Sequence, residues 1–380
     1  MKMKKSEESE KSEYAEAGVD YIKIEPFKHF MSKLAKQTLT FPNRRDVYVV
    51  GDGAHGALYK YRGDCELVIW CNTQEGLGNK NWIAEWMYQF SDTGRTFYEG
   101  IGIDVALMAV NNLIAQGAMP VIYTDEVAAG DSEWFEDQKR SNALYEGFFK
   151  ICKEVGMALP AGESPALRFL IKAEPPVISA PSLSGCATGI IAPSDRLITG
   201  KELSVGDHIV GANSSGLHSN GISLVIKRAM SLADKFLTEL PNGNTLGEEA
   251  LIPTRSYVAL IEALLKNEID IHALLPGTGS GVSKIAFDKR LFTYRIQNWV
   301  EQIPPLFLFM RDIGVTLIDC LTTFNWGIGY YIFAPPSEVE NILAIGRKTG
   351  YELINLGVVE KGPRRVIFEP EDITLPPPGE

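Results

Sequence analysis

Residues 213–227, Asn-Ser-Ser-Gly-Leu-His-Ser-Asn-Gly-Ile-Ser-Leu-Val-Ile-Lys, gather several groups able to bind a ligand or move a proton. Ser214, Ser215 and Ser219 carry hydroxyls, Asn220 an amide and His218 an imidazole. Gly216 and Gly221 let the backbone turn sharply and approach a ligand closely. An apolar stripe of Ile222, Leu224, Val225 and Ile226 follows, and the free N–H groups of a helix starting there favour an anion. With the strand-like run 206–212 before it, the order of strand, polar loop and helix is a layout for holding phosphate. A lone histidine is usually structural, but the only apolar residue beside His218 in the loop is Leu217. As imidazole it would shuttle a proton near neutral pH; as imidazolium it would meet a phosphate.

A second set of candidates is acidic. Gln74-Glu-Gly-Leu-Gly-Asn-Lys80 reads as a loop after a strand at 67–70. Gly76 and Gly78 permit close backbone approach there, Glu75 can hold a cation, and Lys80 can meet a phosphate as a point charge. Asp104 stands in an otherwise apolar helical run, where a carboxylate without a partner is costly. Asn111 and Asn112 follow seven and eight residues later, about two turns on and so on the same face. Such a face suggests a site; the plainer reading is that Asp104 caps the helix start. Asp125 follows an apolar strand at 121–123, and Glu163 lies in Ala-Gly-Glu-Ser. Taken singly, each acid could be a surface group, and only the fold can bring them together.

These motifs strongly resemble the aminoimidazole ribonucleotide synthetase family, the cyclo-ligases of purine synthesis, from about Tyr14 to Gly357. Residues 213–221 carry the likeness most specifically. The family's Asp-Gly-Val-Gly-Thr-Lys becomes Glu75 to Lys80, with Glu75 for the Asp and Asn79 for the Thr. Its Ile-Gly-Ile-Asp, Val-Asn-Asp-Leu and Gln-Gly-Ala recur over 101–118, except that Asn112 replaces an acid linked to magnesium. Its Gly-Gly-Glu-Thr becomes 161–164, residues 251–258 match closely, and Thr323-Phe-Asn-Trp-Gly-Ile-Gly329 follows Thr-Phe-Asn-Cys-Gly-Val-Gly. Thr278, Gly279 and Gly281 remain of a Thr-Gly-Gly-Gly stretch, while Pro276 stands where the family has His, and Ser280 replaces a Gly. The loop at 165–169 departs from the family pattern.

The resemblance implies an α+β fold of two domains, each a mixed sheet packed with helices, the first forming a homodimer through its sheet. It implies ATP and Mg²⁺, with Glu75, Asp104, Asn112, Asp125 and Glu163 on the metal. It places Asp20, Glu75, Gly76, Gly78, Lys80, Asn111, Asp125 and Glu163 on the nucleotide, with 14–20 packing over it. Substrate would lie against Ser214, Ser215, Gly216, His218, Ser219, Asn220, Gly221, Thr278, Gly279, Gly281 and Asn325, and Lys80, Asp104 and His218 would be catalytic. The substrate implied is a phosphoribosyl amidine, formylglycinamidine ribonucleotide. ATP would phosphorylate its formyl oxygen, and the ribose-bearing nitrogen would then close the imidazole ring as phosphate leaves. Two other readings stand beside this one. The departures could mark a paralogue that phosphorylates another small acceptor, and the loss of an acid at Asn112 fits a nucleotide binder without turnover.

The elements that must position these residues interleave. Strand-like runs at 47–50, 67–70, 121–123, 208–210 and 330–333 alternate with helical patterns over 102–116, 137–155 and 257–265, which also fits an α/β or α+β class. Gly51-Asp-Gly-Ala-His-Gly56 fits a dinucleotide fingerprint, but no helix fits before the next strand, so a hairpin turn is expected. The chain of 380 residues should hold two domains of roughly 150–200 residues. Their boundary is expected in the glycine-punctuated 200–206, giving domains at 14–200 and 201–380 after a disordered leader at 1–13. A net charge of −11 argues against a broad nucleic-acid or anionic-membrane surface. Five scattered cysteines without a C-x-x-C fit reduced thiols in a cytoplasmic protein, and no stretch approaches a membrane span.

Overall fold

The structure is a computed structural model, and it describes residues 17–53 and 56–379. The expected leader, and Tyr14 with it, lies outside the described residues.

The helix Tyr98–Leu113 is mostly apolar and buried at nearly every position, as expected of an interior helix rather than a surface one. It crosses the helix Gln138–Val155 where both carry glycine. A Cβ on Gly147 would meet the Glu99 carbonyl oxygen at 2.1 Å, and one on Gly102 would meet the Leu144 carbonyl oxygen at 2.8 Å. The 138–155 helix begins on Asp137, whose side chain caps the Lys139 and Arg140 N–H groups, and ends at Gly156 in a left-handed turn. Its buried face, Leu144, Phe148, Ile151 and Val155, is the stripe expected from helical spacing.

The 98–113 helix packs on a four-stranded sheet of order β3-β6-β4-β5, with β3 Ile69–Gly76, β4 Met119–Ala128, β5 Ala158–Glu163 and β6 Ser182–Ile191, and the 138–155 helix reaches it through Phe148, whose ring lies 6.1 Å from that of Tyr123. The sheet's pairs are antiparallel except β4 with β5, which the 138–155 helix connects. In β6 Leu183, Gly185 and Ala187 are buried, while Ser184, Cys186 and Thr188 face the other way and are half-buried. Ahead of this sheet, β1 (Val47–Gly53) and β2 (Gly56–Tyr61) pair antiparallel, so the described residues of the fingerprint-like run, 51–53 and Gly56, lie on two paired strands.

Pairing also corrects the reading of residues 67–80. The strand begins at Ile69 and its ladder with β6 runs unbroken to Gly76↔Ser184, so Gln74, Glu75 and Gly76 belong to the sheet rather than to a loop. Cross-strand pairing overrides the turn-like composition of that stretch.

The remaining strands form a seven-stranded sheet of order β13-β12-β9-β11-β7-β10-β8. They are β7 His208–Asn213, β8 Ala273–Pro276, β9 Phe292–Ile296, β10 Ile328–Ala334, β11 Leu353–Lys361, β12 Arg365–Phe368 and β13 Ile373–Leu375. Every residue of β10 is buried, which explains why it reads as one unbroken apolar run. The main hydrophobic core continues from the first sheet through the 98–113 helix into the second, and a small separate cluster joins Val47, Val121 and Ile190.

Candidate active site

The polar positions of the 98–113 helix form a seam with the second half of the chain. Asp104 sits mid-helix rather than at a cap, and its side chain, like that of Lys80, is 0% exposed. The Lys80 Nζ lies 2.8 Å from Asp104 Oδ2 and donates to the Ile252 carbonyl at 2.8 Å. Asp104 Oδ1 accepts from the Thr254 N–H at 2.7 Å and from its hydroxyl at 2.6 Å. Burial raises the Asp104 carboxyl and lowers the Lys80 ammonium from their ordinary values, and each partner's charge opposes the other's shift. Two turns further on, Asn111 donates to the Arg255 carbonyl at 3.0 Å and accepts from the Tyr257 N–H at 3.2 Å. The sequence sends Lys80 to a phosphate, Asp104 to a metal and Asn111 to a nucleotide; the structure turns all three toward residues 252–257. Asn112, on the same face, donates instead to Glu75 Oε1 at 2.7 Å.

The loop after β7 has a frame and a set of free groups. The Ser214 hydroxyl donates to Asn325 Oδ1 at 3.1 Å, Asn325 Nδ2 donates to the Gly216 carbonyl at 2.8 Å, and the Ser215 hydroxyl donates to the Pro253 carbonyl at 2.7 Å. These three hold the loop's shape. Gly221, with φ +79°, then opens the helix Ile222–Ala229. Inside the frame, both ring nitrogens of His218, the Ser219 hydroxyl and the Asn220 amide nitrogen are buried without a hydrogen-bond partner. Buried polar groups are normally paired, so such a cluster marks where a ligand's polar atoms belong.

His218 is 1% exposed, with φ +60° and its ring 6.2 Å from that of Tyr257. Burial pushes the imidazole down to about 3, and the charges of Lys80 and Arg255 act in the same direction. The ring is therefore neutral at pH 7, with one nitrogen donating and the other accepting, and it is not the imidazolium that a phosphate would favour. The Thr278–Gly281 turn lies beside this loop, since a Cβ on Gly279 would stand 4.0 Å from Asn220 Oδ1. The Asn79 amide bonds to the Ser223 hydroxyl at 3.0 Å and closes the seam at the helix start.

The other acids lie on the first sheet. Glu75 and Asp125 both pair with Gly185, and Asp125 pairs with Gly162, so Glu75, Gly185, Asp125 and Gly162 form one row across four strands. Residues in register point to one face, and two strand spacings put the Glu75 and Asp125 Cα atoms about 10 Å apart. A Cβ on Gly185 would meet the Tyr123 hydroxyl oxygen at 2.0 Å, so that hydroxyl, buried and unpartnered, covers the row at Gly185. Asp125 is buried with Oδ1 unpartnered. Burial pushes its carboxyl up to about 7, and the charges of Glu126 and Glu163 add to that. Glu163 is exposed and accepts from the Ser164 N–H at 2.9 Å.

Asp125 and Glu163 line a cavity of about 620 Å³ between β5 and the helix Tyr21–Thr38, which contributes Lys28 and Lys36. Asp20 caps that helix by accepting from the Ile22 N–H at 3.0 Å and does not line the cavity. Gly78, with φ +73°, has open space around its Cα, whereas Gly76 is a strand residue.

The acids therefore fall into three groups: Asp104 with Lys80, Glu75 with Asn112, and Asp125 beside Glu163. Among the described residues no three of His, Cys, Asp and Glu converge as a metal cluster. Three contributors escaped the sequence reading: the Ile252 carbonyl, Thr254 and Lys284, whose Nζ holds the Thr278 carbonyl and hydroxyl. Of these, Ile252 and Thr254 had a signal, their place in the matching stretch 251–258, and Lys284 had none.

Residues 80–191 match the family described as AIR synthase related protein, N-terminal domain, and residues 204–369 match its C-terminal domain. The chain is 34% identical over 363 residues to the phosphoribosylformylglycinamidine cyclo-ligase of Pyrococcus horikoshii, covering 95% of this chain and 99% of that one. Identity to the enzyme of the same name from Syntrophus aciditrophicus is 32% over 366 residues, covering 93% and 96%. Among solved structures, the hydrogenase maturation protein HypE in complex with ATP is similar in fold, with a TM-score of 0.57, 16% identity, and 90% and 88% of the two chains covered. No helix among the described residues is long and apolar enough to cross a membrane. Built from two such domains and alike over nearly its whole length, the chain belongs to the phosphoribosylformylglycinamidine cyclo-ligase family.

Proposed function

We propose that this protein closes the imidazole ring of formylglycinamidine ribonucleotide in an ATP-dependent reaction of purine biosynthesis. The observation that carries the reading is the cluster of unpartnered buried polar groups on His218, Ser219 and Asn220, at the seam of the two halves. An amidine and a formyl group are planar arrays of donors and acceptors. A neutral imidazole, a hydroxyl and an amide can pair with such groups without bringing in a charge.

The nucleotide occupies the 620 Å³ cavity beside Asp125 and Glu163. Lys28 and Lys36 face its phosphates. The unpartnered Asp125 Oδ1 beside Glu163 suits a hard cation such as Mg²⁺, which when bound neutralises phosphate charge. Phosphorylating the formyl oxygen converts a poor leaving group into a good one; the ribose-bearing nitrogen then attacks the formyl carbon and phosphate departs. Here the chain's own contribution is positioning. The framed loop fixes the formyl and amidine groups, and the buried neutral His218 offers one donor and one acceptor nitrogen to hold them in place. The outer face of the first sheet, with Trp70 46% exposed beside Asn72 and Gln74, is the surface through which two copies would pair in a cytoplasmic homodimer.

The test is ADP release by the purified protein with Mg·ATP, with and without formylglycinamidine ribonucleotide, alongside detection of the aminoimidazole product. Substrate-dependent ADP with matching ring product is expected. ATP binding without either product would instead point to another acceptor or to a binder.

A further inference from the structure

Tyr257 joins three parts of the site. It stands at the start of the helix Val258–Lys266, 0% exposed, and its N–H donates at 3.2 Å to Asn111 Oδ1 of the 98–113 helix. Its ring packs 5.1 Å from that of Tyr330 and 6.2 Å from the His218 imidazole. Its hydroxyl donates at 3.0 Å to the carbonyl of Asn213, the last residue of β7 and the one before the loop. Burial pushes the phenol up, so it keeps its proton and stays a donor.

The plainer role for a buried aromatic is to fill the core, and a phenylalanine would fill the same space. Two observations go beyond filling. The hydroxyl ends on the carbonyl where β7 gives way to the loop, a stretch that Ser215 ties to the Pro253 carbonyl at 2.7 Å. Gly329 of β10 leaves room for both groups, since a Cβ there would run into the Tyr257 hydroxyl and stand 2.6 Å from His218 Cε1. Residues 252–257 are in turn gripped from the first half of the chain by Lys80, Asp104 and Asn111.

We propose that Tyr257 is a positioning residue of this site, whose hydroxyl sets the loop at 213–221 and the His218 ring in place against the first half. It touches no reacting atom. It holds the unpartnered groups of His218, Ser219 and Asn220 where the acceptor meets them, whereas the cavity beside Asp125 has neither Tyr257 nor the loop in its lining. The kinetic consequence rests on the ring-closing reading above; the effect on the loop does not.

Three full-length variants test it: Tyr257→Phe, His218→Gln, and Tyr98→Phe, which removes a buried hydroxyl bound to Glu85 at 2.7 Å. Urea denaturation checks that each is folded. With formylglycinamidine ribonucleotide and Mg·ATP, Tyr257→Phe should lower kcat and kcat/KM together by about tenfold, leaving the KM for ATP within about twofold. Tyr98→Phe should turn over within about twofold of wild type. Tyr257→Phe combined with His218→Gln should lose far less than the product of the two single losses, because both act through the same loop. Wild-type turnover in Tyr257→Phe, losses that multiply, or an equal fall in Tyr98→Phe would each overturn the inference.

Nuclear magnetic resonance of the ligand-free protein gives a second readout. The chain has five histidines, and the His218 ring signal is the one absent from His218→Gln. That signal should move in Tyr257→Phe and stay in Tyr98→Phe; an unmoved signal in Tyr257→Phe overturns the inference whatever the activity. Wild-type protein that forms no ring product sinks the ring-closing reading alone, and the His218 signal then decides for Tyr257.

Discussion

His218 and Asp125 tilt the pH dependence of stability in opposite directions. The folded protein holds the imidazole at about 3 against an ordinary 6.5, so between those values the unfolded chain binds a proton that the native ring refuses. Stability from this group is therefore lost as pH falls from 6.5 toward 3, by about 1.4 kcal/mol per pH unit at most. Asp125 works the other way. Its folded value of about 7 against an ordinary 3.8 means the native state keeps a proton the unfolded chain has released, so stability is lost as pH rises through that interval. Melting temperatures across this range should thus show Asp125→Asn gaining on wild type as pH rises, and His218→Gln gaining as pH falls. A variant-to-wild-type difference that stays flat with pH would contradict either assignment. Both residues were legible as chemical groups. Their environments were not, because the burial of His218 depends on Tyr257 and Gly329, and that of Asp125 on strands paired from elsewhere in the chain.

The 98–113 helix shows how an element can be read correctly and its purpose missed. Spacing alone puts Asp104, Asn111 and Asn112 on one polar face, and that face exists. The partners of Asp104 and Asn111 at 252–257 lie about 150 residues away, and no local pattern announces a contact so distant. The Lys80–Asp104 pair is a fully buried charge pair, and removing one member leaves the other unpaired. Asp104→Asn should therefore destabilise the protein by about 3–5 kcal/mol, whereas Lys80→Met with Asp104→Leu together should recover much of the loss, as buried ion pairs often tolerate apolar replacement. Urea denaturation of the single and double variants measures both. A single variant with wild-type stability would mean that the pair holds nothing together.

At the scale of the whole molecule, the α+β class follows from the interleaving of strands and helices, while the order β13-β12-β9-β11-β7-β10-β8 does not, because it is set by long-range pairing. The main hydrophobic core and the seam at 252–257 tie the halves together, so calorimetry should show one unfolding transition; two resolved transitions would contradict a shared core. The same seam limits what recombination can do with the gene. A crossover between the codons for residues 192 and 207 would interrupt no strand of either sheet, and by architecture alone it is the natural place to exchange halves with a relative. Yet Lys80 and Asp104 from one parent would then have to find, in the other parent's half, a carbonyl and a hydroxyl placed like those of Ile252 and Thr254. A chimaera whose halves do not match at these positions would bury unpaired charge, so exchanging the halves means exchanging both sides of the seam together.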